Sequence, residues 1–434
     1  METPKGLWNR NFLLLWQGQT VSLAGSSLST VAFSLWIVDA TGSASVLGAI
    51  MMAGAITGLA LSPVAGAVAD RYSRVSILVA SDLALGVMAL ALAGVFLGHG
   101  RNPGVAMVAL FLLQVGDSAA DAFFATAARA VIPDLVPPAR VSAANAVTMA
   151  SLQVAGFLGK GLGGVAYRLL GAPLLFFLDG LTFLVSAGTE AFIRVPPLPP
   201  PQSPQPPRGW RKRLAEVAAD TRAGFSYVWE QEGLRTLTLV NACVAFFLDP
   251  LIMLLPFLVK DERFLGAAGD WYGYLLAGFG LGMLGGYWLA ALFQGRFPRP
   301  GGLATGCLAA AGLGFAALGL TRSPGLALGL MTANGVCLGV FSNYTVSLVQ
   351  TRVPTEMRAR ALGVFQTLAL CLSPLALGLA GVLADALERR VDWVFIGCGA
   401  AACLIALGSR GSRSYRAFLS GAEASPHAPA GPRG

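Results

Sequence analysis

Twelve apolar runs, each long enough to cross a bilayer, follow one another along this chain: roughly 12–38, 44–68, 76–98, 104–128, 143–169, 172–194, 236–258, 271–294, 302–320, 324–349, 361–384 and 391–409. About 20 apolar residues span the hydrocarbon as a helix. The expected fold is therefore an all-α membrane protein with twelve transmembrane helices. Composition agrees: 12% of residues are charged and the mean hydropathy is +0.66, whereas a soluble domain carries roughly 25% charge. The 54 glycines suit close helix–helix packing in lipid. The first run is too long for the apolar core of a signal peptide, and no small-residue cleavage site follows it. It is expected to be a retained span.

The formal net charge is +8. In a soluble protein that would suggest nucleic acid. Here the positive residues are spread over alternate loops. With the N-terminus inside, 22 of the 30 Lys and Arg residues lie in inner segments, 7 in outer ones, and Lys160 inside a span. Cytoplasmic loops carry the excess of Lys and Arg. Both termini are thus expected in the cytoplasm, with the chain in the inner membrane as a monomer and no nucleic-acid partner.

The longest break separates the sixth and seventh runs. It opens VPPLPPPQSPQPP at 195–207, a stretch expected to be extended and semi-rigid. GWRKRLAEVAADTRAGFSYVW at 209–229 follows, with Leu214, Val217, Ala218, Phe225, Val228 and Trp229 at helical spacing and Arg211, Lys212 and Arg213 at its start. That pattern fits an amphipathic helix on the anionic inner leaflet, or a solvated linker helix. The expected organisation is a six-helix bundle at 1–194, a cytoplasmic linker at 195–235, a second six-helix bundle at 236–409 and a disordered cytoplasmic tail at 410–434. Two such halves are an architecture of secondary transporters.

Several function classes lack material. Cys243, Cys307, Cys337, Cys371, Cys398 and Cys403 all fall in apolar runs without metal-ligand spacing, and read as packing residues. The two histidines, His99 and His427, lie in a loop and in the tail. No catalytic or metal constellation is expected, nor a cofactor. No G-x-x-x-x-G-K-[ST] is present, which disfavours an ATP-driven pump. A channel would need rings of like residues, and the two-half pattern argues against one.

The loop between the second and third runs reads GAVADRYSRV, in which Gly66, Asp70, Arg71 and Arg74 fit G-x-x-x-D-R-x-x-R. Gly66 is expected to let two helix ends approach closely, while the arginines anchor the inner surface. This motif, at this position, resembles the loop 2–3 signature of the major facilitator superfamily. ARAVIPDLVPPARVSAANAV (128–147), WYGYLLAGFGLGMLGG (271–286) and VPTEMRARALGVFQ (353–366) are similar to the macrolide-efflux and siderophore-exporter branch of its drug:proton antiporters. The resemblance implies alternating access, with the first, fourth, seventh and tenth spans lining a central cavity. One departure stands out. The family's fifth-span signature has Gly-Pro followed by two more glycines. GKGLGG (159–164) keeps Gly159, Gly161, Gly163 and Gly164 but puts Lys160 where proline is expected.

Charges inside spans are expensive and mark function. Asp117 and Asp121, four apart, share one face of the fourth run with Gln114 and Ser118. Two adjacent carboxylates repel, so one is expected to bind a proton near neutral pH. Asp249, followed by Pro250, is expected to join them in proton coupling or substrate contact. Asp82 and Asp179 read as structural. Gln17, Gln19, Asp121, Lys160 and Asn334 are candidate substrate contacts, with Phe123, Phe124, Phe246, Phe247 and Tyr344 as a polarisable wall. Gly66, Asp70, Arg71 and Arg74 are expected to gate the inner side, and Gly159, Gly163 and Gly164 to pack as a hinge against the second half. The expected function is proton-coupled efflux of amphipathic compounds, with protons, a small-molecule substrate and inner-leaflet lipids as partners. The alternatives are uptake or export of an anionic metabolite recognised through Lys160, or coupling to another ion.

Overall fold

A computed structural model of the chain describes residues 6–99, 102–195, 210–292 and 300–420. It is helical almost throughout, with no strand among the described residues. The helices are α1 (Arg10–Thr41), α2 (Ala44–Ala69), α3 (Arg74–His99), α4 (Pro103–Leu135), α5 (Val141–Glu190), α6 (Trp210–Glu230), α7 (Glu232–Lys260), α8 (Asp270–Leu292), α9 (Pro300–Leu320), α10 (Pro324–Arg352), α11 (Thr355–Ala386), α12 (Val391–Ser409) and α13 (Arg413–Ser420). Eleven of them are long and apolar enough to cross a membrane. Exposed Leu97, Leu169, Leu320 and Leu404 are among the large apolar side chains that coat the outside. Water would not tolerate such a surface; lipid does.

Local chemistry sets the ends. Gly42 closes α1 with φ 59°, its N–H on the Val38 carbonyl, and Ser43 at once caps α2 through Val46 N–H. A left-handed glycine followed by an N-cap serine turns the chain in two residues. Asn102 with Pro103 opens α4, and Ser323 with Pro324 opens α10. Asn9 caps α1 and also donates 2.8 Å to the Leu135 carbonyl, fixing the start of α1 to the end of α4.

The 50-residue α5 runs through both expected spans 143–169 and 172–194. Unbroken it would reach about 75 Å, far more than the roughly 30 Å hydrocarbon core. Gly171 interrupts it with φ 74° and ψ 168°, two residues before Pro173. The break divides α5 into a first and a second arm.

In the first group, α5 packs on α1 and α3, and α4 packs on α2 and α3. In the second, α8 and α9 pack on α10, α9 on α12, and α7 on α11 and α12. The groups meet along α2–α11 and α5–α8. Both seams are glycine-lined. A Cβ on Gly48 would lie 2.6 Å from the Leu377 carbonyl oxygen, and one on Gly273 would lie 2.7 Å from that of Gly161. The largest buried cluster runs through both groups, from Phe33, Leu35 and Phe176 to Leu251, Leu254 and Phe315.

Polar ties reinforce the seams at the end opposite Asn9. Asp385 of α11 accepts from the Ser43 hydroxyl at 2.6 Å and from the Ala44 and Ser45 N–H groups at 3.0 and 2.9 Å. Arg168 pairs with Asp270 at 3.1 Å. Lys260 pairs with Asp39, which also accepts from the Tyr167 hydroxyl at 2.9 Å. Beyond Lys260, the Arg263 side chain donates to Asp261 at 2.7 Å and holds that carboxyl below the usual range.

Two details differ from the sequence reading. The helix expected at 209–229 forms as α6, but Val228 is buried against protein, in a cluster with Leu234, Val349 and Phe365. Phe225 and Trp229 stay exposed, stacked 4.6 Å apart. The tail expected to be disordered contains α13, docked by Tyr415, Phe418 and Leu419. The proline-rich residues 196–207 and the tail residues 421–434 lie outside the described residues.

Candidate functional site

A cavity of about 480 Å³ opens inside the first group of helices. α1 and α4 touch only lightly, and the space between them is walled by α3 and both arms of α5. α1 contributes Gln19, Ser22 and Ser26, α3 contributes Asp82, and α4 contributes Asp117, Asp121, Phe124 and Arg129. Thr148 and Phe183 come from the first and second arms of α5. The cavity extends down α4 to Ile132, toward the end that carries Asn9.

Asp117 and Asp121 stand one turn apart, as their spacing requires. Asp121 is exposed to the cavity and Asp117 is half-buried. Neither makes an ion pair among the described residues. Arg129, two turns further on, is the positive charge acting on Asp121. Its Nε donates 3.0 Å to the Ala125 carbonyl of its own helix. Asp179 sits behind Asp117, buried, and accepts from the Ser26 hydroxyl at 3.2 Å. The result is a pocket with Phe124, Leu152 and Phe183 on its walls and several carboxyl groups at its centre. Such a surface suits an apolar body bearing a positive charge.

The other candidates scatter. Gln19 lines the cavity, 4% exposed, with its Nε2 unpartnered. Gln17 is exposed and lies outside the lining. The structure does not bring Asn334 there: it is 2% exposed and fills the hollow at Gly314, where a Cβ would sit 2.0 Å from its Oδ1. Asp249 is exposed midway along α7, again outside the lining. Lys160 is half-buried, on the opposite side of its helix from exposed Leu158 and Leu162, and forms no ion pair with any described carboxylate. Nor do α7 and α10 contribute to this cavity, which α1, α3, α4 and α5 build alone.

At the Asn9 end, Arg74 pairs with Asp134 and donates 2.9 Å to the Ala130 carbonyl, tying the 2–3 loop to α4. Asp70 closes α2, its N–H on the Gly66 carbonyl at 3.3 Å; it and Arg71 are exposed. The close approach expected at Gly66 is not there, since a Cβ would meet nothing within 4 Å. The glycine run of α5 divides between two neighbours. Cβ atoms on Gly159 and Gly163 would press on α1, at 2.8 Å from the Ala24 carbonyl oxygen and 2.7 Å from Val31 Cβ. Those on Gly161 and Gly164 would press on the second group, at 2.8 Å from Ala277 Cβ and 2.7 Å from the Gly269 carbonyl oxygen. Of the three expected hinge glycines, only Gly164 faces the second group.

A second cavity, of about 530 Å³, lies among α8, α9, α10 and α13, lined by residues such as Cys307, Val340, Tyr344, Arg352 and Leu419. No carboxylate lines it. Among the described residues no group of three His, Cys, Asp or Glu could hold a metal ion. Arg129, Thr148 and Phe183 are cavity residues that sequence reasoning missed. One signal was present: Asp179, Phe183, Ser186 and Glu190 recur at i, i+4, i+7 and i+11, a single helical face.

The profile described as Major Facilitator Superfamily matches residues 15–377. Macrolide efflux protein A of Streptococcus pyogenes is 23% identical over 380 residues, 87% of this chain and 90% of that one. Multidrug efflux pump Tap of Mycobacterium tuberculosis is 27% identical over 380 residues, covering 86% and 87%. Among solved structures, a bacterial homolog of the human lysosomal transporter Spinster, inward-facing and unoccupied, superposes with TM-score 0.68 at 16% identity, over 96% of this chain and 98% of that one. The nucleoside transporter NupG superposes with TM-score 0.70 at 14% identity, over 92% and 98%. At these identities the structural matches speak for the fold alone.

Proposed function

The chain belongs to the Major Facilitator Superfamily, and from that premise we propose that it exports cationic amphipathic compounds by proton-coupled alternating access. Members of this family are multi-pass membrane transporters of small molecules, not enzymes. The observation that carries the finer reading is the cavity of the first group. It holds Asp117 and Asp121 without a fixed counter-ion and reaches toward the Asn9 end, while Asp385, Lys260 and Arg168 latch the opposite end. A carboxylate with no resident partner is available to a proton or to a cationic ligand, and competition between the two couples their fluxes. The names of the relatives, a macrolide efflux protein and a multidrug efflux pump, favour export of this kind.

In this reading the two arms of α5 count separately, which makes twelve spans in two six-helix halves, 1–194 and 236–409. The linker 195–235 and the tail 410–434 lie in the cytoplasm, with both termini, and the basic start of α6 meets the inner leaflet of the cytoplasmic membrane. Asp70, Arg71 and Arg74, with Gly66, form the inner gate. Gly159 and Gly163 hold α5 to α1, and Gly164 bears on α8. Gln19 and Asp121 contact the substrate; Gln17, Asp249 and Asn334 act outside the cavity, and only in another state of the cycle would they reach it. The carrier works as a monomer.

A second reading rests on Lys160, half-buried and without a carboxylate partner among the described residues, which would recognise an anionic substrate. Transport in proteoliposomes under an imposed pH gradient, with a panel of cationic dyes, separates the two. Substrate-dependent proton movement that disappears in Asp121→Asn is expected. Cation movement without proton flux, or its full retention in Asp121→Asn, refutes coupling at this site.

A further inference from the structure

At the cavity wall and behind it lies a second group of carboxyl side chains that the transport reading does not use. α3 and the second arm of α5 run antiparallel and touch backbone to backbone. A Cβ on Gly86 would lie 3.1 Å from the Gly180 carbonyl oxygen, and one on Gly180 would lie 3.0 Å from that of Gly86. One to three turns nearer the Asn9 end, this seam encloses Asp82 of α3 with Ser186 and Glu190 of α5. All three are 0% exposed. α1 closes the third side, where a Cβ on Gly18 would come within 2.8 Å of Ser186 Oγ.

Both oxygens of Asp82 and both of Glu190 lack a hydrogen-bond partner of good geometry, and so does Nε2 of Gln19 on the adjoining stretch of α1. The Ser186 hydroxyl is the donor beside Asp82, though not in good hydrogen-bond geometry. Asp82 and Glu190 are close enough to act on each other electrostatically. The charged and titratable groups around them offer no compensation. On α4, Asp117 and Asp121 add negative charge, while Arg129 is bonded to its own helix. Asp134 of α4 and Arg74 of α3 are paired together. Asp179 on α5 is held by Ser26, and Arg194 beyond Glu190 is exposed.

Two ionised carboxylates cannot share a dry site with a single serine hydroxyl beside them, because one hydroxyl cannot replace the water that both have lost. A neutral carboxylic acid changes the count: it carries an O–H donor, and the neighbouring carboxylate is then an acceptor with a partner. The two members are not equivalent. Asp82 lines the cavity; Glu190 does not.

We propose that Asp82 and Glu190 form a proton-binding dyad, in which Glu190 keeps its proton and donates a hydrogen bond to the Asp82 carboxylate. Binding consumes one proton from water and turns one carboxylate into the acid; release returns it. The exchange route runs through Asp82, the member on the cavity wall. The chain thus carries a proton site apart from the Asp117–Asp121 pair, between α3 and the second arm of α5, with Asp82 at the cavity wall and Glu190 behind it. Nothing in this depends on which substrate the carrier moves, or whether it moves one against protons.

The chain itself supplies a probe. Glu190 is the only glutamate buried among the described residues, so ¹³C-carboxyl labelling of glutamate in the wild-type protein isolates it in the infrared spectrum. The measurement is made on the full chain in lipid, without substrate, at about pH 8, some three or more units above ordinary carboxyl values. A protonated-carboxyl C=O band that shifts with the glutamate label is expected. It is lost in Glu190→Gln, changes frequency in Asp82→Asn because its acceptor becomes an amide, and persists in Asp121→Asn. Absence of a label-sensitive acid band in the wild type overturns the dyad, with no variant needed. So does a band that appears only on removing sodium, which would make the site a cation site instead, and so does a band indifferent to Asp82→Asn.

Discussion

Asp385 gives the most direct test of the latch between the two groups of helices. Its half-buried carboxylate accepts from the Ser43 hydroxyl and from two N–H groups in the first turn of α2, at 2.6, 3.0 and 2.9 Å. Hydrogen bonds to a charged group contribute about 1.5–3 kcal/mol each, and an anion at a helix N-terminus about 0.3–1 kcal/mol. These terms overlap, and water can reach a half-exposed site in the opened state, so the net contribution is about 2 kcal/mol. At about 1.4 kcal/mol per decade, Asp385→Ala then shifts the ratio of latched to unlatched chains roughly 30-fold toward unlatched. Ser43→Ala removes one hydroxyl donor and the α2 cap, about 1 kcal/mol, or roughly fivefold. The assay is a distance distribution between spin labels on Leu97 and Leu320, exposed side chains near the same face of the two groups. A long-distance population should grow in the order wild type, Ser43→Ala, Asp385→Ala. Less than about a threefold change in Asp385→Ala, with thermal stability also unmoved, would mean that the glycine seam and not the carboxylate holds this end.

Gly164→Ala places a methyl group 2.7 Å from backbone atoms of Gly269 and Asp270, and should cost about 1–3 kcal/mol of thermal stability in detergent; an unchanged melting curve counts against a tight α5–α8 seam. Gly66→Ala meets nothing within 4 Å and should be neutral or up to about 1 kcal/mol stabilising through helix propensity, so a clear loss of stability would mean that the helix end approaches a neighbour after all. Lys160→Gln removes a half-buried charge that has no ion pair among the described residues and should leave the melting temperature unchanged or raised; a large drop would reveal a carboxylate partner. The Asp261 carboxyl is held below its ordinary value of 3.8 by Arg263, so its contribution is fully present above that pH and fades as pH falls through the lower folded value. Arg263→Gln should therefore lower stability near neutral pH by less than about 1 kcal/mol and flatten the acid limb of the stability profile, as followed by pH-dependent thermal melts.

The membrane-spanning elements were legible because lipid imposes one demand on every span, and hydropathy reports it directly. Even the join inside α5 was visible: the gap between runs ending at 169 and starting at 172 contains Gly171, the residue that leaves helical geometry. α13 was not legible, because eight residues do not hold a helix alone and this one exists by docking Tyr415, Phe418 and Leu419. The carboxyl pair of α4 was legible from an i, i+4 spacing. The shape of the cavity was not, since a cavity is a place where helices fail to touch, and no local pattern encodes that. Asn334 shows the limit: an amide on α10 reads the same whether it faces water or, as here, the hollow at Gly314. The glycines of α5 carried more information than was taken from them. Gly159 and Gly163 are four apart and share one face; Gly161 and Gly164 are three apart and share another. Two faces of small residues mean two close neighbours.

The distribution of charge bears on why the cavity and the latch occur together. In this state Asp117 and Asp121 stand at a cavity reaching the Asn9 end, where water can solvate them. Closing that end strips the water away. Burying an uncompensated ion costs several kcal/mol even after relaxation, comparable to the roughly 2 kcal/mol assigned to the Asp385 contacts. On the proposed cycle an empty, ionised cavity therefore resists closure, and the latch at the far end stays shut. A proton or a cationic ligand removes the penalty, and closure at the Asn9 end can then proceed together with opening of the latch. On that proposed cycle, selectivity for charge arises from the cost of closing, not from the strength of any one contact. The second cavity, without a carboxylate in its lining, has no such penalty to relieve. The first group of helices can thus decide when the transporter moves, while the second supplies the surface against which it moves.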